Sequence, residues 1–298
     1  MVGSWFLSTT SLAVAAAGRR DPQSVGLRVE RFDSIDFGDP PRLAEHVEAG
    51  NEPALVNFAA RTDVDGVEKE RPTSGGTASG HAWTVNSDAV RSIARAASRS
   101  NKYLVQISTD FVFDGQSGPY DERASRSTLS SRLSWYGWTK SEGERAIEES
   151  GARAAIVRIA YPYGPRRAEK ADLPHWIVEA WRGGCLPPLY TDQWFTPTWI
   201  PDIPVLLERL LREQPSGIFH LASPTLATPF ELGTALLGAL EGQVPGLSPG
   251  SISGSGTSRR APRPIHGGLS CARVAELGIA PTRWQEGIQW LVEEEGRV

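Results

Sequence analysis

The sequence predicts an α/β protein built on a doubly wound parallel sheet with a smaller C-terminal lobe. Three short apolar runs, at Ala54–Ala59, Tyr103–Ile107 and Ala154–Ile159, are typical of strands buried on both faces of a parallel sheet. Between the first two runs, apolar residues recur at helical spacing: Ala89, Val90, Ile93, Ala94 and Ala97. Strand, helix, strand at this interval indicates the crossover unit of a parallel sheet.

The length suits one large α/β domain with a smaller lobe, and we divide the chain into residues 1–160 and 161–298. One segment of the second part is expected to return to the sheet. Asp202–Glu213 is a predicted helix, and Thr228–Glu231 is a capping box that begins another. Gly242–Ser258, rich in Gly, Ser and Pro, is a predicted loop.

The composition excludes several classes of partner. A net charge of -4, with basic residues scattered along the chain, gives no reason to expect binding to nucleic acid or to a membrane surface. The two cysteines, Cys185 and Cys271, imply no disulfide framework and fit a reducing compartment, so we expect the cytoplasm. The five histidines lack the spacing of metal ligands, and no metal is expected.

The apolar stretch Ser11–Ala17 has two interpretations. It could be the apolar core of a signal peptide, but no Lys or Arg precedes it. The alternative, a first helix packed on the sheet, is therefore the prediction.

The chemistry is predicted to lie at Trp135–Lys140. Tyr136 and Lys140 are four residues apart and would share one face of a helix. A free tyrosine has a pKa of about 10, and a neighbouring ammonium lowers that pKa, which suits proton transfer to a carbonyl. An ordinary surface helix with a Tyr and a Lys is the alternative.

Thr109 follows a predicted buried strand, where a hydroxyl would face the crevice at the carboxyl edge of the sheet. It could then stabilise a developing oxyanion. A strand that simply ends in a polar turn is the alternative, since Asp114–Gly115 is a common turn pair. In the same segment Asp110 and Asp114 are assigned structural roles.

Several motifs in one order carry a resemblance to a known family. They are Val56–Asp65, Ser108–Gly115, Pro119–Glu122, Tyr136–Glu144 and Asp192–Thr198. Together they resemble the dTDP-4-dehydrorhamnose reductase family of the extended short-chain dehydrogenase/reductases. The resemblance implies a Rossmann-like fold with a substrate-binding C-terminal lobe. It also implies hydride transfer from NADPH or NADH to the keto carbon of a nucleotide-linked 4-keto-6-deoxysugar, and it leaves a homodimer open.

The resemblance also assigns residues to the site. Tyr136 would donate the proton, Lys140 would hold the cofactor ribose, and Thr109 would orient the carbonyl. The other cofactor positions would be Gly3, Phe6, Leu7, Asp36, Phe58, Ala59, Ala60, Asn86 and Ser108. The substrate positions would be Thr62, Val64, Val112, Phe113, Tyr161, Asp192, Gln193, Pro197 and Arg263, with Tyr161 where the family has Trp.

The N-terminus departs from the family pattern of a buried strand followed by a glycine-rich turn. If Phe6 and Leu7 match the end of that turn, Trp5 and Ser8 replace two glycines and only Gly3 remains. Almost all of the first strand is then absent, and Trp5 is expected to obstruct a dinucleotide. The acidic residue that would favour NAD is Asp33 or Asp36.

This departure motivates a second hypothesis: a catalytically silent binding or regulatory subunit, as in the β subunit of methionine adenosyltransferase, which is similar to this reductase family. A third is a nucleotide-sugar epimerase or dehydratase on the same fold. Phe111 follows Asp110 where a dehydratase would have Glu, which disfavours the dehydratase.

Overall fold

The computed structural model describes residues 2–73, 76–165, 171–242, 246–253 and 261–295. Its strands are β1 Ala15–Gly18, β2 Arg31–Ser34, β3 Ala54–Asn57, β4 Tyr103–Thr109, β5 Ala154–Ile159, β6 Leu189–Tyr190, β7 Gly217–Leu221 and β8 Pro249–Gly250. Its helices are α1 Val2–Thr9, α2 Pro40–Ala49, α3 Val64–Glu68, α4 His81–Trp83, α5 Ala89–Arg99, α6 Trp135–Ser150, α7 Leu173–Arg182, α8 Asp202–Glu213, α9 Pro229–Glu241, α10 Ala272–Glu276 and α11 Trp284–Glu295.

The predicted fold class is confirmed. Strands β3, β4, β5 and β7 form a parallel sheet in that order, and β1 pairs with β2 in a second parallel pair. The predicted crossover helix is α5, whose alanines and Ile93 are buried against the sheet. Because all its pairs are parallel, the carboxyl ends of these strands meet at one edge, where ligands bind in such sheets.

The helix predicted over Ser11–Ala17 is wrong. The first helix is α1, and Ala15–Gly18 is a strand that pairs in parallel with Arg31–Ser34. Trp5 and Ser8 lie inside α1, so the segment that was matched to the end of a glycine-rich turn is helical. A run of alanines has no period of its own, and the pairing with β2 decides its conformation.

Gly3 has a packing role in the first turn of α1. A Cβ atom at Gly3 would come within 3.3 Å of the Phe58 ring, directly after β3. The ring of Phe6, 3% exposed, lies 5.9 Å from the Phe58 ring and joins the core under the sheet. Helix α1 therefore packs closely on the segment after β3, as a glycine in a helix–strand contact permits.

The second part of the chain contributes to two cores. Helix α8, predicted correctly, packs under the main sheet, which strand β7 extends next to β5. Helices α7, α9 and α11 and strand β6 surround a separate apolar core that includes Ile177, Leu236 and Ile288. The predicted capping box at Thr228 is confirmed at the start of α9. Of the predicted 242–258 loop, residues 243–245 and 254–258 lie outside the described residues.

None of the described helices has an apolar stretch long enough to cross a bilayer.

Candidate active site

Strand β4 ends at Thr109, and the chain then enters a 3-10 turn, Asp110–Val112. The Thr109 Oγ1 caps this turn by accepting from the Phe111 amide at 3.3 Å, and it donates to Asp110 Oδ1 at 3.2 Å. The predicted position of Thr109, at the carboxyl end of a buried strand, is confirmed.

Helix α6 places Tyr136 next to this turn. Ser134 caps the helix by accepting from the Gly137 amide at 3.0 Å. A Cβ atom at Gly137 would lie only 2.2 Å from the Phe111 carbonyl oxygen. The first turn of α6 thus rests directly on the backbone after Thr109, and only glycine allows that approach. The predicted helical face with Tyr136 and Lys140 is confirmed.

Burial sets the protonation state of Tyr136. Its side chain is almost fully buried, and this burial raises the pKa well above the ordinary value, while a hydrogen bond with Thr109 opposes the rise and Asp110 adds to it. The sequence led us to expect a lowered pKa, but the effect of burial is larger. The Lys140 Nζ donates to the Ile107 carbonyl at 2.8 Å. Tyr136 is therefore a protonated phenol at neutral pH, the form that a proton donor needs.

Lys140 is a buried cation near this phenol. Burial lowers the pKa of Lys140 to about 8, and the Glu144 carboxylate, one turn along α6, opposes the shift. The amine therefore remains mostly protonated at pH 7. It supplies positive charge in a region that solvent does not screen.

A buried ion pair fixes α6 to the sheet behind these groups. Glu144 on α6 pairs with Arg158 on β5 at 2.6 Å, and both side chains are 1% exposed. Ser108 donates to the same carboxylate, and Arg158 lies 3.4 Å from His220 on β7. The hydroxyl of Ser108, a predicted cofactor position, is thus engaged in this network.

A cavity of about 330 Å³ lies at the carboxyl ends of β1, β2 and β3. Four predicted cofactor positions line it: Asp36, Phe58, Ala59 and Ala60. Phe6 and Leu7 instead pack into the core. Asn86 lies in a π-helical turn at Thr84–Asp88 and binds the backbone of Arg61, which also lines the cavity. Its Oδ1 accepts from the Arg61 N–H at 2.8 Å, and its Nδ2 donates to the Arg61 carbonyl at 3.1 Å and to the Thr139 hydroxyl at 3.0 Å.

Arg19 also lines this cavity, and the sequence analysis missed it. Arg19 and Arg20 follow β1 directly, and both side chains are exposed. Asp36 follows β2, where its Oδ1 accepts from the Gly38 amide at 2.9 Å. A pair of arginines directly after a strand is the sequence feature that could have identified this position. It was missed because the strand before it was predicted to be a helix.

Predicted substrate positions meet on the other side of Tyr136. Gln193 donates to the Tyr161 hydroxyl at 2.9 Å and to the Pro264 carbonyl at 3.3 Å. Tyr161 has a φ of 41° and packs on Phe195, with ring centres 4.4 Å apart. Val64, at the start of α3, packs in the cluster that contains Tyr136, and the exposed Thr62 precedes it.

An ion pair closes this side of the site. Arg263 pairs with Asp65 on α3 at 2.9 Å and so joins α3 to the segment that leads to Gly267. The pair is partly exposed, and such pairs contribute about 0–1 kcal/mol. Thr109 and Tyr136, by contrast, are almost fully buried.

Four other predicted substrate residues lie elsewhere. Val112 and Phe113 are buried in a core cluster, where Phe113 stacks on Tyr120 with ring centres 4.1 Å apart. Pro197 is buried, and its carbonyl accepts from the Ser223 amide at 2.9 Å. Burial would raise the pKa of Asp192, but hydrogen bonds from Ser251, Ile252 and Ser253 lower it to about 2. The Asp192 carboxylate therefore holds the loop next to β8.

Comparison with known proteins places this arrangement in a family. Residues 8–296 match the family model described as RmlD substrate binding domain. A probable low-salt glycan biosynthesis reductase, Agl14, from Haloferax volcanii is 30% identical over 251 residues, 83% of this chain and 79% of that protein. A dTDP-4-dehydrorhamnose reductase from Mycobacterium tuberculosis is 27% identical over 287 residues, 92% of this chain and 86% of that protein.

One relative bears on the second hypothesis. The methionine adenosyltransferase 2 subunit beta from Bos taurus is 29% identical over 256 residues, 84% of this chain and 72% of that protein. Among solved structures, a dTDP-4-dehydrorhamnose reductase from Bacillus anthracis in complex with NADP has a TM-score of 0.75 at 21% identity. That match covers 94% of this chain and 98% of the other, and it establishes the shared fold.

Proposed function

Because the chain belongs to the RmlD substrate binding domain family of short-chain dehydrogenase/reductase-type oxidoreductases, we propose that it reduces the keto group of a nucleotide-linked 4-keto-6-deoxysugar. Tyr136 is the proton donor, and NADPH is the preferred reductant. The observation that carries this proposal is the convergence of Thr109, protonated Tyr136 and buried Lys140 at the carboxyl edge of the sheet.

The residues around the cavity fit a dinucleotide. Gly18 ends β1, and a Cβ atom there would meet no other atom within 4 Å, so the strand end leaves open space. Phe58 lines the cavity, and Gly3 in the first turn of α1 packs on its ring. The positive end of a helix dipole favours an anion nearby. When bound, a reduced nicotinamide dinucleotide supplies a hydride to the carbonyl carbon.

The protein's own groups handle the oxygen. As negative charge develops on the carbonyl oxygen, the Tyr136 hydroxyl donates to it and transfers its proton. The Thr109 hydroxyl, which turns about a single bond, donates to the same oxygen. The buried ammonium of Lys140 stabilises this negative charge, because the surrounding side chains exclude water. In this scheme the low exposure of the site strengthens each interaction.

The basic pair after β1 supports NADPH over NADH. An acidic residue at this strand end would bond the ribose hydroxyls of NAD, whereas an arginine accommodates the 2′-phosphate of NADP. Arg19 lines the cavity here, and Asp36 is engaged in its own turn. The sequence left open whether the cofactor is NADH or NADPH. On this argument we propose NADPH.

The test is reduction of dTDP-4-keto-6-deoxyhexoses, followed by loss of NADPH absorbance and by product chromatography. Tyr136→Phe should lower kcat by at least about a hundredfold, since general acid catalysis contributes about 10²–10⁴. Tyr190→Phe, in the short strand β6 of the second lobe, is the matched control and should keep wild-type activity. Full activity of Tyr136→Phe would refute the proton-donor role.

A regulatory subunit is the second candidate, since one relative carries that name. The motive for it is the altered N-terminus, where Trp5 and Ser8 replace two family glycines and lie within helix α1. Isothermal titration with NADPH separates the two candidates when it is combined with affinity purification of the protein. A stoichiometric enzyme partner, with no turnover of any 4-keto sugar nucleotide, would favour the regulatory subunit.

A further inference from the structure

Helix α6 has a second cap, which comes from a distant part of the chain. In addition to the cap that Ser134 provides, the first amide of the helix, that of Trp135, donates to the Glu68 carboxylate at 2.6 Å. Glu68 ends helix α3. A carboxylate at a helix N-terminus satisfies an amide that has no partner within the helix, and the helix dipole favours its charge. Because Trp135 directly precedes Tyr136, this bond acts one residue from the proposed proton donor.

Arg71 extends this contact to the segment that leads into α6. Its guanidinium pairs with the Glu68 carboxylate. It also donates to the Leu133 carbonyl at 2.6 Å and to the Ser130 carbonyl at 3.2 Å. An arginine can make several such bonds at once, because its donors form a planar fork. Glu68 and Arg71, which we call the Glu68–Arg71 clamp, therefore hold the backbone on both sides of the point where α6 begins.

The side chain of Trp135 is held as well as its backbone. It is buried, and its ring stacks on that of Trp83 at the end of α4, with ring centres 5.8 Å apart. The Arg71 guanidinium lies 5.6 Å from the centre of the Trp135 ring, within the range of a cation–π contact. The first turn of α6 therefore cannot rotate or slide without breaking contacts that Trp135 makes with α3 or α4.

We propose that Glu68 is a positioning residue, which fixes the direction of the Tyr136 hydroxyl by holding the Trp135 amide. This inference rests on the proposed function. Tyr136 is the second residue of α6, and its ring packs edge-on against Phe111, with ring centres 5.7 Å apart. A shift of the helix start would therefore move the phenol relative to the turn after β4. A displacement of about 1 Å in a reacting group can cost about a hundredfold in rate.

A positioning role differs measurably from a purely structural one. Neither Glu68 nor Arg71 is among the described residues that line the proposed dinucleotide cavity, so loss of the clamp should leave the Kd for NADPH unchanged. It should instead slow the step in which Tyr136 gives up its proton. Because that step then limits turnover more strongly, the solvent deuterium isotope effect on kcat should rise. A clamp that only stabilised the fold would change the fraction of active protein and leave the isotope effect as it was.

The experiment measures kcat and its solvent isotope effect with a dTDP-4-keto-6-deoxyhexose, and the Kd for NADPH by isothermal titration calorimetry. Glu68→Ala should lower kcat by about ten- to hundredfold and raise the isotope effect, with an unchanged Kd. Glu68→Gln keeps an oxygen that accepts from the Trp135 amide and loses only a partly exposed ion pair, which contributes little. It should therefore recover kcat to within about threefold of the wild-type value.

Glu70→Ala is the matched control. The Glu70 carboxylate accepts from the Ala82 amide at 2.7 Å, so the variant loses a bond of the same kind that is made to α4 and not to α6. It should keep the wild-type kcat and isotope effect. Arg71→Met is a second variant of the clamp, which releases the Leu133 carbonyl. It should lower kcat about tenfold and raise the isotope effect, and it carries the test should Glu68→Ala fail to fold.

Each outcome decides one point. A wild-type kcat in Glu68→Ala, a lower kcat with an unchanged isotope effect, or an equal loss in Glu70→Ala would overturn the positioning role and leave the reductase in place. A higher Kd for NADPH in Glu68→Ala would also overturn it. No turnover of any 4-keto sugar nucleotide by the wild-type protein would overturn the proposed function, and this inference with it. A loss confined to the two clamp variants, with a higher isotope effect and recovery in Glu68→Gln, would establish the role of Glu68.

Discussion

Replacing Arg158 by Met should destabilise the protein through Glu144. The two side chains form an ion pair of 2.6 Å with 1% exposure each, and Ser108 donates to the same carboxylate. Without Arg158 the buried Glu144 keeps only the Ser108 hydroxyl and the more distant Arg126, whose Nη1 lies 3.8 Å from Oε2. Loss of the main partner of a buried charge costs about 3–5 kcal/mol. For a domain of this size the melting temperature should fall by on the order of 10 °C. Chemical denaturation at pH 8, followed by circular dichroism, measures the free energy directly.

The pH dependence of this loss identifies its cause. In the wild-type protein burial would raise the pKa of Glu144, but Arg158 outweighs burial and holds that pKa below its ordinary value. The stability from the pair is therefore present above pH about 4.5 and is lost as the pH falls further. In Arg158→Met burial dominates, so Glu144 takes up a proton at higher pH and becomes neutral. The difference between variant and wild type should shrink from pH 8 to pH 5.

A double variant completes the test. Glu144→Leu with Arg158→Met removes both charges, and apolar replacements of a buried pair are often neutral. Ser108 then lacks its acceptor, which leaves a deficit of about 1–3 kcal/mol. The double variant should therefore be more stable than Arg158→Met alone. A single variant within about 1 kcal/mol of wild type, or a deficit that is independent of pH, would refute the reasoning.

Three further predictions concern the site. Gly137→Ala should lower kcat at least about tenfold and lower the free energy of unfolding by about 1–3 kcal/mol, because the alanine Cβ would clash with the Phe111 carbonyl. The clash should outweigh the higher helix propensity of alanine. Activity assays and thermal unfolding measure the two effects. Arg19→Ala should raise the Kd for NADPH about tenfold and leave the Kd for NADH unchanged, as measured by isothermal titration calorimetry. High salt should reduce this effect on NADPH binding, because it screens the exposed arginine. Asn86→Ala should cost about 1–3 kcal/mol and raise the Kd for NADPH, because the Arg61 backbone loses both bonds; equal affinity would contradict this.

The sequence alone located three of the four strands of the main sheet, because these three carry their own signal, whereas β7 was expected only as an unspecified returning segment. The runs that became β3, β4 and β5 are apolar and continuous, as burial on both faces demands. Helices α6, α8 and α9 could be located from a residue spacing or a cap. The position of Thr109 beside Tyr136 could be inferred because parallel strands end at one edge and α6 follows β4 along the chain.

Other features depend on pairing and packing that no local pattern encodes. Ala15–Gly18 forms a strand through its pairing with Arg31–Ser34. Because this strand ends at Gly18, Arg19 follows directly and lines the cavity. Phe113 follows the site in sequence, but its ring stacks on Tyr120 in the core. A motif fixes which residues are near a site, whereas the direction of each side chain depends on neighbours from distant segments.

Proton positions in the site follow from burial more than from the Tyr–Lys spacing. The spacing predicted a lowered pKa for Tyr136, which would suit either direction of a carbonyl–alcohol reaction. Closure of the site raises that pKa instead, and it lowers the pKa of Lys140 to about 8 without neutralising the amine at pH 7. The site thus keeps a proton on Tyr136 and a positive charge on Lys140. Reduction of a carbonyl uses both, because its oxygen gains negative charge and then takes up a proton. Oxidation of an alcohol would require a phenolate in the same buried place, so the raised pKa of Tyr136 suits the reductive direction that we propose.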